Sequence, residues 1–332
     1  MKKIGLTTTV PIEIFVAAGY TPIDLNNIFV TSEDYLKYIE IAERDGFPKS
    51  ICAWIKGLYG VCIAHNITEI VGVIGGDCSN TKALADLLAY KGIKVYDFSY
   101  PQSHAKEDLE AELRKLMNLL KVDITEVEKK RVEFNQVRAL AHEVDRLTYE
   151  ELKVSGFENH LYLVNCSDFE GDATKYANTL KKAIEDMTLR EPIKKKLRLG
   201  YIGVPPMTAD LYSFVEQFDA SIIYNEVQRE FSFPRAAQAQ NIFDQYNDYT
   251  YPYESSFRIK EINKQIKERK LDGLIHYTQA FCHRAIDDII IKATIDLPIL
   301  NIEGDQQNSL DARTKLRLEA FLDMLSDLKG AY

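Results

Sequence analysis

Five cysteines stand in the chain, Cys52, Cys62, Cys78, Cys166 and Cys282, and their neighbours decide what each thiol can do. Cys78 follows Gly75 and Gly76, which end an apolar strand, and precedes a helix expected to begin near Ser79 or Asn80. Cys282 stands in the same relation to a later helix. Cys52 lies in a helical segment that can reach the same crevice. Backbone N–H groups at a helix start favour a thiolate and a bound anionic group. Three soft thiolates around one crevice suit an iron–sulfur cluster. Three ligands on a four-iron cluster leave one iron open to substrate as a Lewis acid. The competing reading is of buried apolar thiols, since cysteine outside disulfides is often a core residue. No CxxC occurs, so ferredoxin and zinc-finger spacings are absent. A chain this large with no export signal is not expected to carry disulfides.

Other residues offer weaker chemistry. His283 follows Cys282 and can donate a proton or face solvent. Glu303 and Asp305 end the last strand beside the presumed crevice. There they serve either as acid–base groups or as helix caps. His65 lies near Cys62, but no further ligands are spaced for a zinc site. Glu13 is expected to cap the first helix through its charge. Gly203, Val204, Pro205 and Pro206 make either a ligand-approach loop or a rigid strand–helix turn. The run Gly72, Val73, Ile74, Gly75, Gly76 lacks both GxGxxG and a P-loop lysine. A loop with Tyr246, Tyr249, Tyr251 and Tyr253 lines a pocket, forms an interface, or packs partly on the surface.

The elements that must position these groups alternate. Strands are expected at 3–8, 21–25, 69–74 and 94–98, with helices between them. A mainly helical stretch runs over 103–192, with a start at Thr125 and Glu128 spaced as a capping box. One long helix is expected to run to about residue 151, with Val132, Val137, Leu140, Val144 and Leu147 near one face. The apolar run 161–164 interrupts the helices. Strands then return at 197–202, 221–224, 272–277 and 297–302. Strands apolar on both faces and separated by helices indicate parallel sheets covered on both sides. The expected fold is therefore α/β, with two Rossmann-like parallel-sheet domains and an inserted helical region. The boundaries are 1–102, 103–195 and 196–332. The two halves read as diverged copies, which makes Cys78 and Cys282 equivalent at the carboxyl ends of strands. Open α/β sheets bind ligands in such crevices.

The chain has 332 residues, enough for about two domains. Its formal charge of -9 argues against a nucleic-acid partner, which would need a basic stripe. Lys194, Lys195 and Lys196 make only a short run, read as a solvated linker. No apolar run is long enough to span a membrane. The start, MKKIGLTTTVP, turns polar at once, so a cytoplasmic protein is expected.

Several segments together resemble one family. Val10, Pro11, Ile12 and Glu13, then Ala17, Ala18, Gly19, Tyr20, Thr21 and Pro22, look like the N-terminal segment of the 2-hydroxyacyl-CoA dehydratase and benzoyl-CoA reductase family. Cys52 with Ala53, Trp54, Ile55 and Lys56 resembles its first cysteine segment. Gly76, Asp77, Cys78, Ser79 and Asn80 resemble its second. Phe281 and Cys282, with Ile302, Glu303, Gly304 and Asp305, resemble its third cysteine and the acidic strand end. The stretch 313–321 resembles its C-terminal helix. The matches follow the family's order over nearly the whole chain, and the likeness is to a D-component subunit.

The resemblance implies a [4Fe-4S] cluster held by Cys52, Cys78 and Cys282. It implies a two-subunit complex and a separate ATP-dependent iron–sulfur activator that supplies one low-potential electron. The thioester carbonyl of a 2-hydroxyacyl-CoA then becomes a ketyl radical, which makes loss of the hydroxyl and the β-proton feasible. Other members of the family reduce aromatic rings, or carry a larger double-cubane cluster and reduce small substrates. This chain is shorter than a usual dehydratase subunit, shows no adenine or pantetheine signature, and has too few cysteines for a double cubane of its own. The expected function is radical dehydration or reduction of a small acyl thioester, by a homo- or heterodimer. The alternatives are an electron-carrying protein without its own substrate and a non-redox binding module.

Overall fold

The computed structural model describes residues 2–330. The first half runs β1 (Lys2–Leu6), α1 (Ile12–Ala17), β2 (Tyr20–Asp24), α2 (Leu25–Thr31), α3 (Tyr35–Arg44), α4 (Ala53–Ala64), β3 (Glu69–Gly75), α5 (Thr81–Tyr90), β4 (Lys94–Ser99) and α6 (Lys106–Leu120). Then come α7 (Ile124–Tyr149), α8 (Gly156–Val164) and α9 (Ala173–Thr188). The second half runs β5 (Leu197–Gly203), α10 (Leu211–Glu216), β6 (Ala220–Asn225), α11 (Glu226–Phe231), α12 (Ile242–Asn247), α13 (Ser255–Arg269), β7 (Gly273–Gln279), α14 (Asp287–Thr294), β8 (Ile299–Gly304) and α15 (Ala312–Gly330). Every expected strand forms. The expected α/β class, with two parallel sheets, holds.

The strand order is β2-β1-β3-β4 in one sheet and β6-β5-β7-β8 in the other, all parallel. The second sheet therefore repeats the order of the first. In both, the inner pair is the first and third strand, where the winding reverses and the crevice opens. Ile4, Leu6, Ile70, Val71 and Val73 are buried on the inner strands of the first sheet. Pro22 lies in β2, at an edge, where a missing N–H costs no ladder bond. In the second sheet, Tyr201, Ile275, Tyr277 and Ile302 pack with α10 and α15 on one face. Ile202 and Leu274 pack with α13 and α14 on the other.

The chain forms two compact units, neither continuous in sequence. One holds residues up to Ala139, with Asn165–Asn178 and Phe233–Glu254. The other holds Leu140–Val164, Thr179–Ser232 and the chain from Ser255 onward. The residues of α7 up to Ala139 belong to the first unit and the rest to the second. Its start differs from expectation. Asp123 caps it, accepting the Thr125 N–H at 2.7 Å, while Glu128 pairs with Arg131. Val132 is exposed, and the buried stripe runs through Val127, Phe134, Val137, Ala141, Val144 and Leu147 at helical spacing. Residues 161–164 continue α8 rather than interrupt the helices.

Each unit is tied by a buried ion pair between distant segments. In the first unit Glu13 is not a solvated cap. It is fully buried and accepts from Arg138 Nη1 at 2.7 Å and from Tyr246 Oη at 2.7 Å. Arg138 also lies over the Phe233 ring. In the second unit Arg269 donates to both oxygens of Asp145, at 2.9 and 2.5 Å, and to the Ile223 carbonyl. Burial alone would raise the Asp145 carboxyl. The charge and hydrogen bonds of Arg269 overcome it and hold the group at about 2.

Two outcomes follow. Glu13→Gln leaves the Arg138 charge buried without its partner and lowers stability by about 3–5 kcal/mol, read as a lower urea midpoint at unchanged slope. Asp145 has a depressed folded value, so its contribution is present above about pH 4 and disappears as pH falls toward 2. The stability gap between wild type and Asp145→Asn therefore closes over that interval.

Candidate functional site

A helix that links two parallel strands runs antiparallel to them, so its start lies at the carboxyl edge of the sheet. All three singled-out cysteines precede helical turns. Cys52 is the cap residue of α4, and its carbonyl accepts the Lys56 N–H at 3.3 Å. The Cys78 carbonyl accepts the Thr81 N–H at 3.1 Å, just before α5. The Cys282 carbonyl accepts the Ala285 N–H at 3.1 Å and opens a short 3₁₀ turn before α14.

Cys78 and Cys282 are also equivalent by topology. Cys78 lies three residues beyond the end of β3 (78 minus 75). Cys282 lies three residues beyond the end of β7 (282 minus 279). Both strands are the third of their sheet.

In the first unit, printed contacts bring the starts of two elements to one edge. The Trp54 indole N–H, in the first turn of α4, donates to Asn26 Oδ1 at 2.5 Å. Asn26 Nδ2 donates to the Thr7 carbonyl beyond β1 and to Asp24 Oδ1 at the end of β2. The Cys52 turn is thus hydrogen-bonded through Trp54 to the carboxyl ends of β1 and β2. Asp24 in turn donates its backbone N–H to Asp168 Oδ2 at 2.7 Å. Burial, then the nearby charge of Asp24, pushes the Asp168 carboxyl up to about 7, and burial raises Asp24 as well.

The Cys78 turn depends on a glycine. Gly76 has φ +96°, and a Cβ there would stand 2.6 Å from Tyr100 Cβ and 3.1 Å from the Pro252 carbonyl. Tyr246, Tyr249, Tyr251 and Tyr253 are buried within this unit, so their loop is part of its core, and Tyr249 and Tyr253 pack on Tyr100, which Gly76 approaches.

In the second unit, the ends of β7 and β8 lie side by side, with Gln279 opposite Gly304. Ala280 N–H donates to the Gly304 carbonyl and Gln279 Nε2 to the Asp305 carbonyl. Asp305 therefore sits beside the strand end that leads into Cys282. His283 and Glu303 are both exposed at this edge, and Asp305 is half-buried. At the end of β5, Gly203 has φ +95°, and a Cβ there would meet the Tyr277 carbonyl at 2.1 Å. Its N–H donates to Glu226, so this segment is a rigid turn.

The five thiols divide by surroundings. All are thiols rather than disulfides. Cys62 and Cys166 are buried, and burial pushes both up to about 12, so they stay neutral core residues. His65 bonds Tyr38 from the exposed end of α4 and does not join Cys62. Cys78 and Cys282 are half-exposed and Cys52 is buried, each just ahead of a helical turn. Cysteine sulfur is a donor chemically suited to iron. Among the described residues, no group of three or more His, Cys, Asp or Glu is gathered to hold a single metal ion. In a cluster, by contrast, each thiolate binds its own iron. The polar pairs Trp54–Asn26 and His276–Asp288 carried no signal in the sequence.

Gly76→Ala forces the Cys78 turn off its backbone conformation at a cost of about 1–3 kcal/mol. The expected result is a lowered thermal midpoint and faster alkylation of Cys78, with Cys62 still protected.

No curated protein sequence matches the chain. A family model does match it, the 2-hydroxyglutaryl-CoA dehydratase D-component, over residues 7–325. The order of its cysteine turns, its paired parallel sheets and this match across nearly its whole length agree: the chain belongs to the 2-hydroxyglutaryl-CoA dehydratase D-component family.

Proposed function

We propose that this chain is an iron–sulfur subunit of a dehydratase acting on a small 2-hydroxyacyl thioester. Cys52, Cys78 and Cys282 would hold a [4Fe-4S] cluster. The observation that carries this reading is the equivalence of Cys78 and Cys282, each three residues beyond the third strand of its sheet. When bound, such a cluster with three protein ligands supplies an open iron, a Lewis acid for a leaving hydroxyl.

The protein's own groups have distinct tasks in this proposal. Helix-start amides at the three cysteines stabilise thiolate charge. Gly76 lets the Cys78 turn pass close to Tyr100. His283, exposed beside Cys282, would deliver a proton to the departing hydroxyl, and Glu303 or Asp305 would receive the β-proton. Reduction of a related substrate would use the same groups. The electron would come from a separate ATP-dependent activator, and a second subunit, identical or not, would complete the enzyme in the cytoplasm. No described helix is long and apolar enough to cross a membrane. The division into 1–102, 103–195 and 196–332 belongs to this proposal as well.

The test is anaerobic purification with iron and acid-labile sulfide measured per chain. About four of each, lost in Cys78→Ala or Cys282→Ala, is the expected result. The EPR spectrum of the reduced protein then shifts on adding a 2-hydroxyacyl-CoA. A redox-active cluster whose spectrum ignores the thioester would mark an electron carrier instead. Near-zero iron after anaerobic reconstitution would leave only a non-redox binding module.

A further inference from the structure

On one face of the second sheet, charged groups gather under the start of α14. Glu226 is 2% exposed and Arg258 1%. Arg258 donates Nε and Nη2 to the two Glu226 oxygens, at 2.8 and 2.9 Å. Its remaining nitrogen, Nη1, reaches Asp287 Oδ2 at 3.2 Å, in the first turn of α14. Arg284 reaches the same oxygen at 3.2 Å. The next residue, Asp288, meets His276 Nδ1 at 3.0 Å and Lys292 Nζ at 2.9 Å. His276 projects from the middle of β7 and is 1% exposed. Burial keeps it below the ordinary histidine range, so a neutral ring donates Nδ1–H to the carboxylate.

Apolar burial grips this segment only toward its far end, through Ile291 and the cap residue Ile295. Within α14 only Ile291 is buried. Ile289 and Ile290 are exposed, as is Ile286 just before the helix. One buried isoleucine supplies about 2 kcal/mol. Burying an arginine, a glutamate and an aspartate contact costs several kcal/mol per ion unless geometry repays it. The turn ahead of α14 is also unusual. Phe281 is exposed at φ +63°, a conformation bulky residues rarely adopt. A costly set of contacts thus anchors a strained turn and a helix with little apolar grip. That turn carries Cys282.

We propose that Glu226, Arg258, Asp287, His276 and Asp288 are positioning residues that hold the β7–α14 turn, and with it the Cys282 sulfur, in one place. The link to a cofactor rests on the reading of Cys282 as a cluster ligand. The holding itself does not. Two anchors in successive residues, one to α13 and one to β7, fix both the translation and the rotation of the helix start. A sulfur carried on such a turn is preorganised rather than gathered by its metal.

The test uses the full chain, first without metal. In Asp287→Asn and Asp288→Asn, backbone hydrogen exchange within 280–290 is expected to rise at least tenfold. Cys282 alkylation, measured above the thiol titration so that only access matters, rises severalfold. Amides of β5 and the alkylation of Cys78 stay at wild-type rates, as does everything in the control Asp296→Asn. Arg258→Lys keeps one anchor contact and should fall between wild type and Asp287→Asn. Unchanged exchange and alkylation in folded Asp287→Asn and Asp288→Asn would overturn the proposal. With iron loaded, the same two variants are expected to keep their iron but show shifted EPR g-values. If the wild type takes up no iron, the cofactor link falls, and the exchange data alone decide whether the turn is held.

Discussion

Parallel strands impose a direction on everything attached to them. Each strand must be re-entered from the same end, so the chain returns along a helix, and every strand-to-helix turn collects at one edge. With the order β2-β1-β3-β4, and its counterpart in the second sheet, the winding reverses between the two inner strands. Turns after β3 and β7 therefore lie beside the switch point of their sheets. Cys78 and Cys282 occupy those turns. The position of these two turns follows from sheet topology and needs no special local sequence beyond a tight exit from the strand.

Holding those edges in shape falls to charge more than to apolar packing. Each compact unit is assembled from separated stretches of chain. In the first, Glu13, Arg138 and Tyr246 join α1, α7 and α12. In the second, Asp145 and Arg269 join α7 to α13, and Arg258 joins α13 to α11 and α14. Buried pairs of this kind contribute little net stability over apolar substitutes, yet breaking one partner is costly. Their effect is to admit one docking of each helix and penalise neighbouring ones.

The strands were legible because runs such as Glu69 to Ile74 are apolar on both faces, which solvated elements are not. Cys78 and Cys282 were legible because a glycine pair or a strand end precedes them and a helix follows. Helix starts were harder to read. Thr125 and Glu128 have capping-box spacing, but Asp123 reaches the free amide first, and Glu128 is occupied by Arg131. Glu13 read only as a charge at the start of its helix because its partner lies 125 residues away. The tyrosines of 246–253 looked suited to a pocket, an interface or a surface loop, and burial settles them as core. His276 and Asp288 are each ordinary alone, and only the β7–α14 turn brings them together.

Asp24 and Asp168 have a thermodynamic consequence beyond local geometry. The formal charge of -9 counts every carboxylate as ionised. Burial raises both carboxyls of this pair, Asp168 to about 7, so in mildly acidic solution the pair holds a proton that the formal count leaves out. The unfolded chain releases that proton, whereas the buried His160 and His276, held below the ordinary histidine range, give up protons on folding, so folding in mildly acidic solution moves protons in both directions. Its measured heat then includes the buffer's ionisation heat for the net proton exchange, and calorimetric enthalpies of this protein become comparable only after that contribution is subtracted.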